Sequence, residues 1–474
     1  MSTAKTIVKN AGFLVGSDIV SKVLSLFFLV YIARILGDTG FGKYSFAFSF
    51  VAMFTLFSDL GVMPLLIREI SRDKKKIDYY LYNSLTLRVI ASIAALILAL
   101  ISLPIYKTDF EIFLSVFLIS FAMIFYNLAE TLLALFQAEQ KMEYPAYITI
   151  SERIFTVILG IYAVTNGFGL LGITVVYFLS YFGMFIAAII LVRKKIHKIR
   201  FILDFKSMKA ILKESAPFWF TVIFATIYFK INTIMLAFFK GYQPVGWYSA
   251  AYAVIETLVF IPLAFSRAIF PAMSEMYIKN KDMLRELLKK SVGYITIIAV
   301  PIAFGIAFFS DQIILLVYKE QFANSVLVLR ILIWAVMLMF PSMILGNFLN
   351  AINKQKIFTY VTAISAVISI ILNTILIPAY SYIGAAIATI ITEGIVLITL
   401  VFFVMKENYE FTKLSMLVKI SISAFVMIGI LYALKNLSIF ILIPIGAVSY
   451  FSALYITKGI TNDDLRYFRS LFFR

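Results

Sequence analysis

Long apolar runs recur along the whole chain, separated by short and mostly basic breaks, and that recurrence limits the fold more than any motif does. A helix that crosses a bilayer uses about 20 mostly apolar residues. Runs of this kind read as 14 helices, at about 10–36, 45–66, 82–103, 110–136, 146–165, 170–192, 217–239, 246–270, 291–309, 325–349, 357–377, 383–405, 416–434 and 438–457. Composition agrees, with 62% of the 474 residues hydrophobic and 14% charged, where soluble domains carry roughly 45–50% and 25%. The reading is therefore an all-α integral membrane protein. It excludes a soluble globular enzyme, a disordered chain and a nucleic-acid-binding protein.

The net charge of +17 suggests an anionic partner, but inner loops of multi-span proteins collect Lys and Arg in any case. Counted by loop side, 29 basic residues fall on one side and five (Lys43, Lys107, Lys240, Lys319 and Lys435) on the other. This bias places both termini in the cytoplasm, with the protein in the cytoplasmic membrane. There is no cysteine, and the single histidine, His197, sits in a basic loop, so no disulfide, thiol or His-cluster metal site is expected. Gly37, Gly42 and Lys43 fit the phosphate-loop spacing G-x-x-x-x-G-K, but Tyr44 follows where Ser or Thr is needed. No nucleotide cofactor is expected. Transport would draw on an ion gradient, the membrane potential or the substrate's own gradient.

Two short patterns repeat. Gly42-Lys43-Tyr44-Ser45-Phe46-Ala47 and Gly246-Trp247-Tyr248-Ser249-Ala250-Ala251 both fit G-x-Y-S-x-A at an offset of 204. Leu171-Gly172-Ile173-Thr174 and Ile383-Gly384-Ala385-Ala386 stand at an offset of 212. A duplication of six helices gives two lobes of parallel topology facing a central cleft, the usual plan of an alternating-access transporter. The divisions are 1–200, 201–405 and an appendage at 406–474 holding two further helices and a basic amphipathic tail. The stretches at about 274–290 and 461–474 mix apolar and basic residues and are expected to lie in the interface of an anionic leaflet.

Charges inside spans line cavities or pair with one another, because lipid exposure is costly. Arg34, Arg267, Arg330 and Lys419 lie near span ends, where they can snorkel to headgroups. Lys22 and Lys230 lie deeper, with Arg88 and Arg153 in the inner thirds of their helices. Ser17, Asp18, Ser21, Lys22 and Ser25 fall on one face of the first helix, and Asp18 can pair with Lys22. The seventh helix carries Tyr228, Lys230, Asn232 and Thr233. Lys22, Lys230, Arg88, Arg153, Asp18 and Asn232 are thus the candidates for binding an anionic, sugar-bearing ligand. A structural reading competes, with Asp18–Lys22 and Lys230–Glu256 as neutralising pairs. Glu256, Glu393 and Asp59 are candidates for holding a coupling ion, H+ or Na+. Asp59 can equally anchor a helix end, and Glu130 and Glu152 are further membrane acids.

Several pieces of the sequence carry a resemblance. Ile35-Leu36-Gly37 precedes Phe41-Gly42-Lys43-Tyr44-Ser45; Ser58-Asp59-Leu60-Gly61 and Arg68-Glu69-Ile70-Ser71 follow; then come Asn232-Thr233-Ile234-Met235-Leu236, Val245-Gly246-Trp247-Tyr248-Ser249-Ala250-Ala251, Phe270-Pro271-Ala272-Met273-Ser274 and Gly384-Ala385-Ala386-Ile387-Ala388-Thr389 before Glu393. In this order they resemble the multidrug/oligosaccharidyl-lipid/polysaccharide (MOP) exporter superfamily, in its branch of Wzx-type O-antigen flippases. The resemblance implies translocation of an isoprenoid-diphosphate-linked oligosaccharide from the inner to the outer leaflet, with membrane lipids and glycan-assembly proteins as partners and no enzymatic activity. Asn232 stands where that family commonly has Asp, so a carboxylate role is absent there. A cation-coupled drug or metabolite exporter on the same fold is the alternative, and a membrane-embedded glycosyltransferase a more distant one.

Overall fold

The computed structural model describes residues 3–196, 200, 203–410 and 414–460. His197, Lys198 and the basic stretch at 461–474 lie outside the described residues. Within them the regular elements are helices, with no strand. In chain order these are α1 Thr3–Asp59, α2 Val62–Arg72, α3 Ile77–Ser102, α4 Phe110–Ala138, α5 Glu143–Thr165, α6 Gly169–Lys195, α7 Phe205–Lys240, α8 Tyr242–Leu258, α9 Phe260–Lys279, α10 Lys281–Tyr318, α11 Asn324–Leu332, α12 Trp334–Ala351, α13 Gln355–Lys406, α14 Leu414–Ala433 and α15 Ile439–Ile456. Short polar residues start several of them. Asp109 accepts from the Ile112 amide, Asp204 from Lys206 and Ser207, and Asn280 from Asp282 and Met283, each satisfying amides that have no partner inside the helix.

Twelve stretches among the described residues are long and apolar enough to cross a membrane, where the sequence reading counts fourteen. The shortfall sits in α1 and α13, of 57 and 52 residues. A straight helix of 57 residues would be roughly 85 Å long, almost three times a hydrocarbon core of about 30 Å. Neither element is straight. Gly37 breaks α1 with φ 72° and ψ 178°, a conformation that glycine adopts at little cost. Phe28 and Phe48, on either side of it, both pack on Tyr177, at 6.5 and 4.7 Å between ring centroids. Twenty residues of straight helix would hold them roughly 30 Å apart, so the chain doubles back at Gly37. In α13 the break is Ser381, at φ 53° and ψ −133°. A Cβ added at Gly384 would stand 2.2 Å from the Leu376 carbonyl oxygen, a contact that only a reversal between them allows.

The chain packs as two compact units, Met1–Ser249 and Ala250–Arg474, with the boundary inside α8. In the first, α4 packs against α6 through a ladder of rings in which Phe121 stacks on Phe178 at 5.7 Å and Phe125 meets Phe182 edge-on at 5.0 Å. Its apolar core joins Val62, Leu65 and Leu66 to Leu81, Leu85, Leu132 and Phe136. α7 belongs to this unit. Trp219 donates its indole N–H to the Leu56 carbonyl at 2.6 Å, and Phe238 packs on Tyr106. In the second unit, α10, α14 and α15 share a core of Ile297, Val300, Ile420, Leu431 and Leu442, and the Tyr450 hydroxyl donates to the Ile297 carbonyl. The basic stretch at 274–290 runs through the end of α9 and the start of α10, where Lys279, Arg285 and Lys290 pair with Glu275, Asp282 and Glu286 on their own helices.

Candidate functional site

Buried residues of α3 fall at Leu81, Ser84, Arg88, Ser92, Ala95 and Ala99, a helical stripe of mostly small side chains that lets neighbouring helices approach. Arg88, with a side chain 2% exposed, sits in the middle of it. One terminal nitrogen donates to the Asn127 carbonyl at 2.8 Å and the Thr131 hydroxyl at 3.0 Å; the other donates to the Asp59 carboxylate at 2.6 Å and its carbonyl at 3.2 Å. Asn127 in turn donates to Ser58 at 2.8 Å. The guanidinium thereby ties the end of α1 to α3 and α4. Asp59, a candidate for ion coupling by sequence, is the anionic partner in this tie.

Arg153, on α5, is held differently. Its nearest acid is the adjacent Glu152, with Nε 3.9 Å from Oε2, beyond hydrogen-bond length. The Arg153 Nε has no hydrogen-bond partner. The guanidinium is hydrogen-bonded to Tyr177 of α6 and lies within electrostatic reach of Tyr181 of α6 and Tyr44 of α1; the Tyr44 and Tyr177 hydroxyls are 3.3 Å apart. Glu152 itself is buried, its side chain 4% exposed. Its Oε1 is 2.8 Å from the Thr156 hydroxyl, which is 2.8 Å from the Ser180 hydroxyl, which donates to the Val176 carbonyl at 2.8 Å. Glu152 also lines a groove of about 320 Å³ between α5 and α6, bounded by Tyr147, Ile148, Phe155, Leu179 and Met184.

The other sequence candidates divide by unit. On α1, Ser17 is buried, Asp18 half-buried and Lys22 exposed, so the polar face is present but its lysine is not enclosed. Ser25 donates to the Ser21 carbonyl at 2.6 Å. Lys230 on α7 is half-buried. Two residues further on, Asn232 donates to the Tyr248 hydroxyl at 2.9 Å and locks α7 to α8. In the second unit Glu256 is exposed and Glu393 is 4% exposed. Asp18, Lys22, Lys230, Glu256 and Glu393 each have an interaction partner. Among the described residues no group of three or more His, Cys, Asp or Glu gathers to hold a metal ion.

The repeated turns meet one another within the first unit. A Cβ on Gly42 would stand 1.8 Å from the Tyr242 carbonyl oxygen, and one on Gly246 would stand 1.9 Å from the Asp38 carbonyl oxygen. Asp38 and Tyr242 are themselves 204 residues apart, as are Gly42 and Gly246, so the two copies clasp each other reciprocally. The Asp38 carboxylate accepts from Trp247 Nε1 and Gln243 Nε2, both at 2.9 Å. Beside this clasp Lys43 reaches Asp109 and Glu111, at 2.7 Å each.

The family model described as "Polysaccharide biosynthesis protein" matches residues 7–277, and that described as "MatE" matches residues 217–375. Among curated proteins, the chain is 22% identical over 424 residues to a protein of Haloferax volcanii named probable low-salt glycan biosynthesis flippase Agl15, covering 86% of each. It is 21% identical to the capsular polysaccharide biosynthesis protein CapF of Staphylococcus aureus, covering 84% of this chain and 98% of that one. Among solved structures, the inward closed conformation of the lipid II flippase MurJ superposes with a TM-score of 0.78 at 18% identity, covering 94% of this chain and 98% of that one, which establishes the shared fold.

Proposed function

The chain belongs to the polysaccharide biosynthesis protein family, and we propose that within it this multi-pass membrane protein is a flippase for an isoprenoid-diphosphate-linked oligosaccharide. It carries the lipid-linked sugar from the inner to the outer leaflet of the cytoplasmic membrane by alternating access, with both termini cytoplasmic. The observation that supports this most directly is the basic character of the first unit's membrane helices. Lys22 on α1, Arg153 on α5 and Lys230 on α7 place cations on three of them, while Arg88 on α3 is committed to the fold through both terminal nitrogens. A diphosphate recruits such groups through charge-assisted hydrogen bonds, and hydroxyls and amides near them suit a sugar. The relatives named as a glycan biosynthesis flippase and a capsular polysaccharide protein point to the same substrate class.

In this reading Lys22, Lys230 and Arg153 bind the diphosphate, Asp18 and Asn232 orient the helices that carry them, and Arg88 with Asp59 holds the frame. Glu256 and Glu393 remain candidates for a coupling ion, H+ or Na+. Proteins that assemble the glycan are its expected partners. The test is a sealed vesicle containing the purified protein and a fluorescent lipid-linked oligosaccharide in one leaflet. Protein-dependent loss of protection from an external quencher is expected. A label that stays in its first leaflet would overturn the reading. Because the MatE match covers residues 217–375, export of an organic cation is the competing activity, and the same vesicles loaded with such a cation separate the two. A cysteine replacing Lys240 should react with a membrane-impermeant reagent from outside the cell; reaction only from inside would reverse the orientation.

A further inference from the structure

We propose that Glu152 is a proton-binding site and that its occupancy is linked to anion binding at the neighbouring Arg153. The inference deepens the flippase reading and rests on it in one respect, that Arg153 meets the diphosphate. It begins with a count of hydrogens. Three oxygen–oxygen contacts of 2.8 Å run in series, from Glu152 Oε1 to Thr156 Oγ1, on to Ser180 Oγ, and on to the Val176 carbonyl. Each needs one hydrogen between its two oxygens. The two hydroxyls supply two. The third can come only from the carboxyl group, as Glu152 O–H donating to Thr156, which then donates to Ser180, which donates to Val176. With Glu152 ionised, the same row satisfies two contacts and leaves one without a hydrogen. The row thus holds a place for one more hydrogen, filled when Glu152 is protonated and vacant when it is ionised.

The surroundings of Glu152 explain what would control that proton. Its neighbour on α5 is the Arg153 cation, 3.9 Å away. From α4 it is faced by Tyr126, which also interacts with Glu130; from α6 by Tyr177 and Tyr181. Tyr44 of α1 lies by the guanidinium rather than the carboxyl. Arg153 is thus the one cation acting on this carboxyl among the described residues. While no anion shares its charge, the guanidinium favours the ionised acid. When a diphosphate takes up the guanidinium's charge, the carboxylate is left buried without a counter-charge, and a buried carboxylate in that position takes up a proton. The proton comes from solution and forms one O–H bond at Oε1; no other bond is made or broken. Linkage makes the effect reciprocal, so a proton on Glu152 strengthens diphosphate binding by the factor by which diphosphate strengthens proton binding. The groove between α5 and α6, which Glu152 lines, gives the acid an opening to the surface of the unit.

The probe is farnesyl diphosphate, titrated by calorimetry into the purified full chain in detergent. At roughly pH 7.5 to 9 the probe's phosphates are already ionised, their last proton leaving near pH 6. There the wild type is expected to take up close to one proton per ligand bound, measured from buffers of different ionisation enthalpy. Its affinity should fall with rising pH, by up to about tenfold per unit, as a single linked proton requires. Glu152→Gln mimics the neutral acid, so it should bind the probe without proton uptake and with an affinity independent of pH. A second readout needs no variant: an infrared difference spectrum of the wild type should gain a carboxylic-acid carbonyl band on adding the probe, shifted in heavy water. Binding with no proton uptake and no such band would overturn the proton site while leaving the flippase reading intact. So would equal uptake in Glu152→Gln, or an affinity that follows sodium rather than pH. Failure of the wild type to bind the probe would overturn the role of Arg153 and this proposal with it.

Discussion

Arg88 and Arg153 are both arginines within membrane spans of the first unit, each near a carboxylate, and their environments are opposite. Arg88 touches Asp59 at 2.6 Å and three more acceptors from two other helices. The void beside this network, lined by Thr55, Ser58, Ser92, Ser120 and Asn127, is about 10 Å³, room for at most one water. Arg153 stands 3.9 Å from Glu152, and the groove beside that acid is about 320 Å³. The first guanidinium commits both terminal nitrogens to the fold, leaving only its Nε without a partner, and is sealed; the second, hydrogen-bonded to Tyr177 and likewise unpartnered at Nε, adjoins the acid that lines the groove. Charge at a given depth in the membrane therefore does not distinguish a frame from a site. What distinguishes them is how many acceptors the fold already aims at the cation.

The largest expected effect breaks the first of these pairs. Arg88→Met should destabilise the protein by about 3–5 kcal/mol, because it strands the buried groups that the guanidinium satisfied. The measurement is folded yield and melting temperature in detergent. Replacing both partners, Arg88→Met with Asp59→Leu, should recover most of the loss, since an apolar pair of similar volume is often neutral. If Arg88→Met melted like the wild type yet failed to translocate substrate, Arg88 would belong with Arg153 and the distinction drawn here would collapse.

The next effect is on transport. Arg153→Gln should lower translocation about tenfold to a hundredfold, the equivalent of one charge-assisted contact of roughly 1.5–3 kcal/mol, with little change in melting temperature. Lys22→Ala and Lys230→Ala should act in the same direction. For Lys22 the double variant with Asp18→Ala is decisive. Full recovery of translocation in the double variant would make Lys22 a structural partner of Asp18 rather than a ligand for phosphate.

A smaller pair of effects compares the two hydrogen-bond rows. Asn127→Ala removes the donor to Ser58 inside the sealed network and should cost roughly 1–3 kcal/mol of stability. Ser180→Ala removes one hydroxyl from the row beside Glu152, at the edge of the groove, and should cost about 1 kcal/mol or less while changing the pH dependence of translocation. Equal losses of stability with no change in that pH dependence would remove the contrast between the rows.

Much of this was open to reading in the sequence. Apolar runs marked the helices, since about 20 residues suffice. The G-x-Y-S-x-A pattern marked two turns that the structure brings together glycine to carbonyl. The reversal at Gly37 fell within a break the sequence showed. Arg88 and Arg153 stood out together because both are charges within spans, and nothing local separates them. The partners that do so are distant along the chain: Asp59 lies 29 residues from Arg88, and Asn127 lies 39. By sequence alone Glu152 is one membrane acid among several. Its link to Thr156, four residues on, is legible at helical spacing, but the third member, Ser180, comes from α6 and needs the fold. For Lys22 the sequence places the residue on the polar face of the first helix, and the structure adds that its side chain is exposed. The spans counted as two in α1 and two in α13 appear as continuous stretches because each reversal occupies only a residue or so.

The least effect is expected where an ion pair is neither sealed nor beside a groove, and it sets the solvent-exposed limit for the comparison. Lys43 bridges Asp109 and Glu111 at 2.7 Å each, but the Asp109 side chain is 50% exposed. Partial burial pushes the Asp109 carboxyl up, and hydrogen bonds from Lys43 and the Ile112 amide outweigh it, leaving the group below its ordinary 3.8. Because the folded value is the depressed one, the stabilisation is complete above about pH 4 and is lost as pH falls through the folded value. Asp109→Asn keeps the helix cap, since Asn caps about as well as Asp, and leaves Glu111 to Lys43. Its cost should be within about 1 kcal/mol, as for exposed pairs in general, and should shrink in high salt. The melting-temperature difference from wild type should hold steady from roughly pH 5 to 8, shrink below about pH 4 and vanish once pH has fallen through the folded value. A cost as large as that of Arg88→Met, or one that persisted in acid, would mean that this pair is shielded like Arg88–Asp59 and that exposure is the wrong measure of an ion pair's worth in this fold.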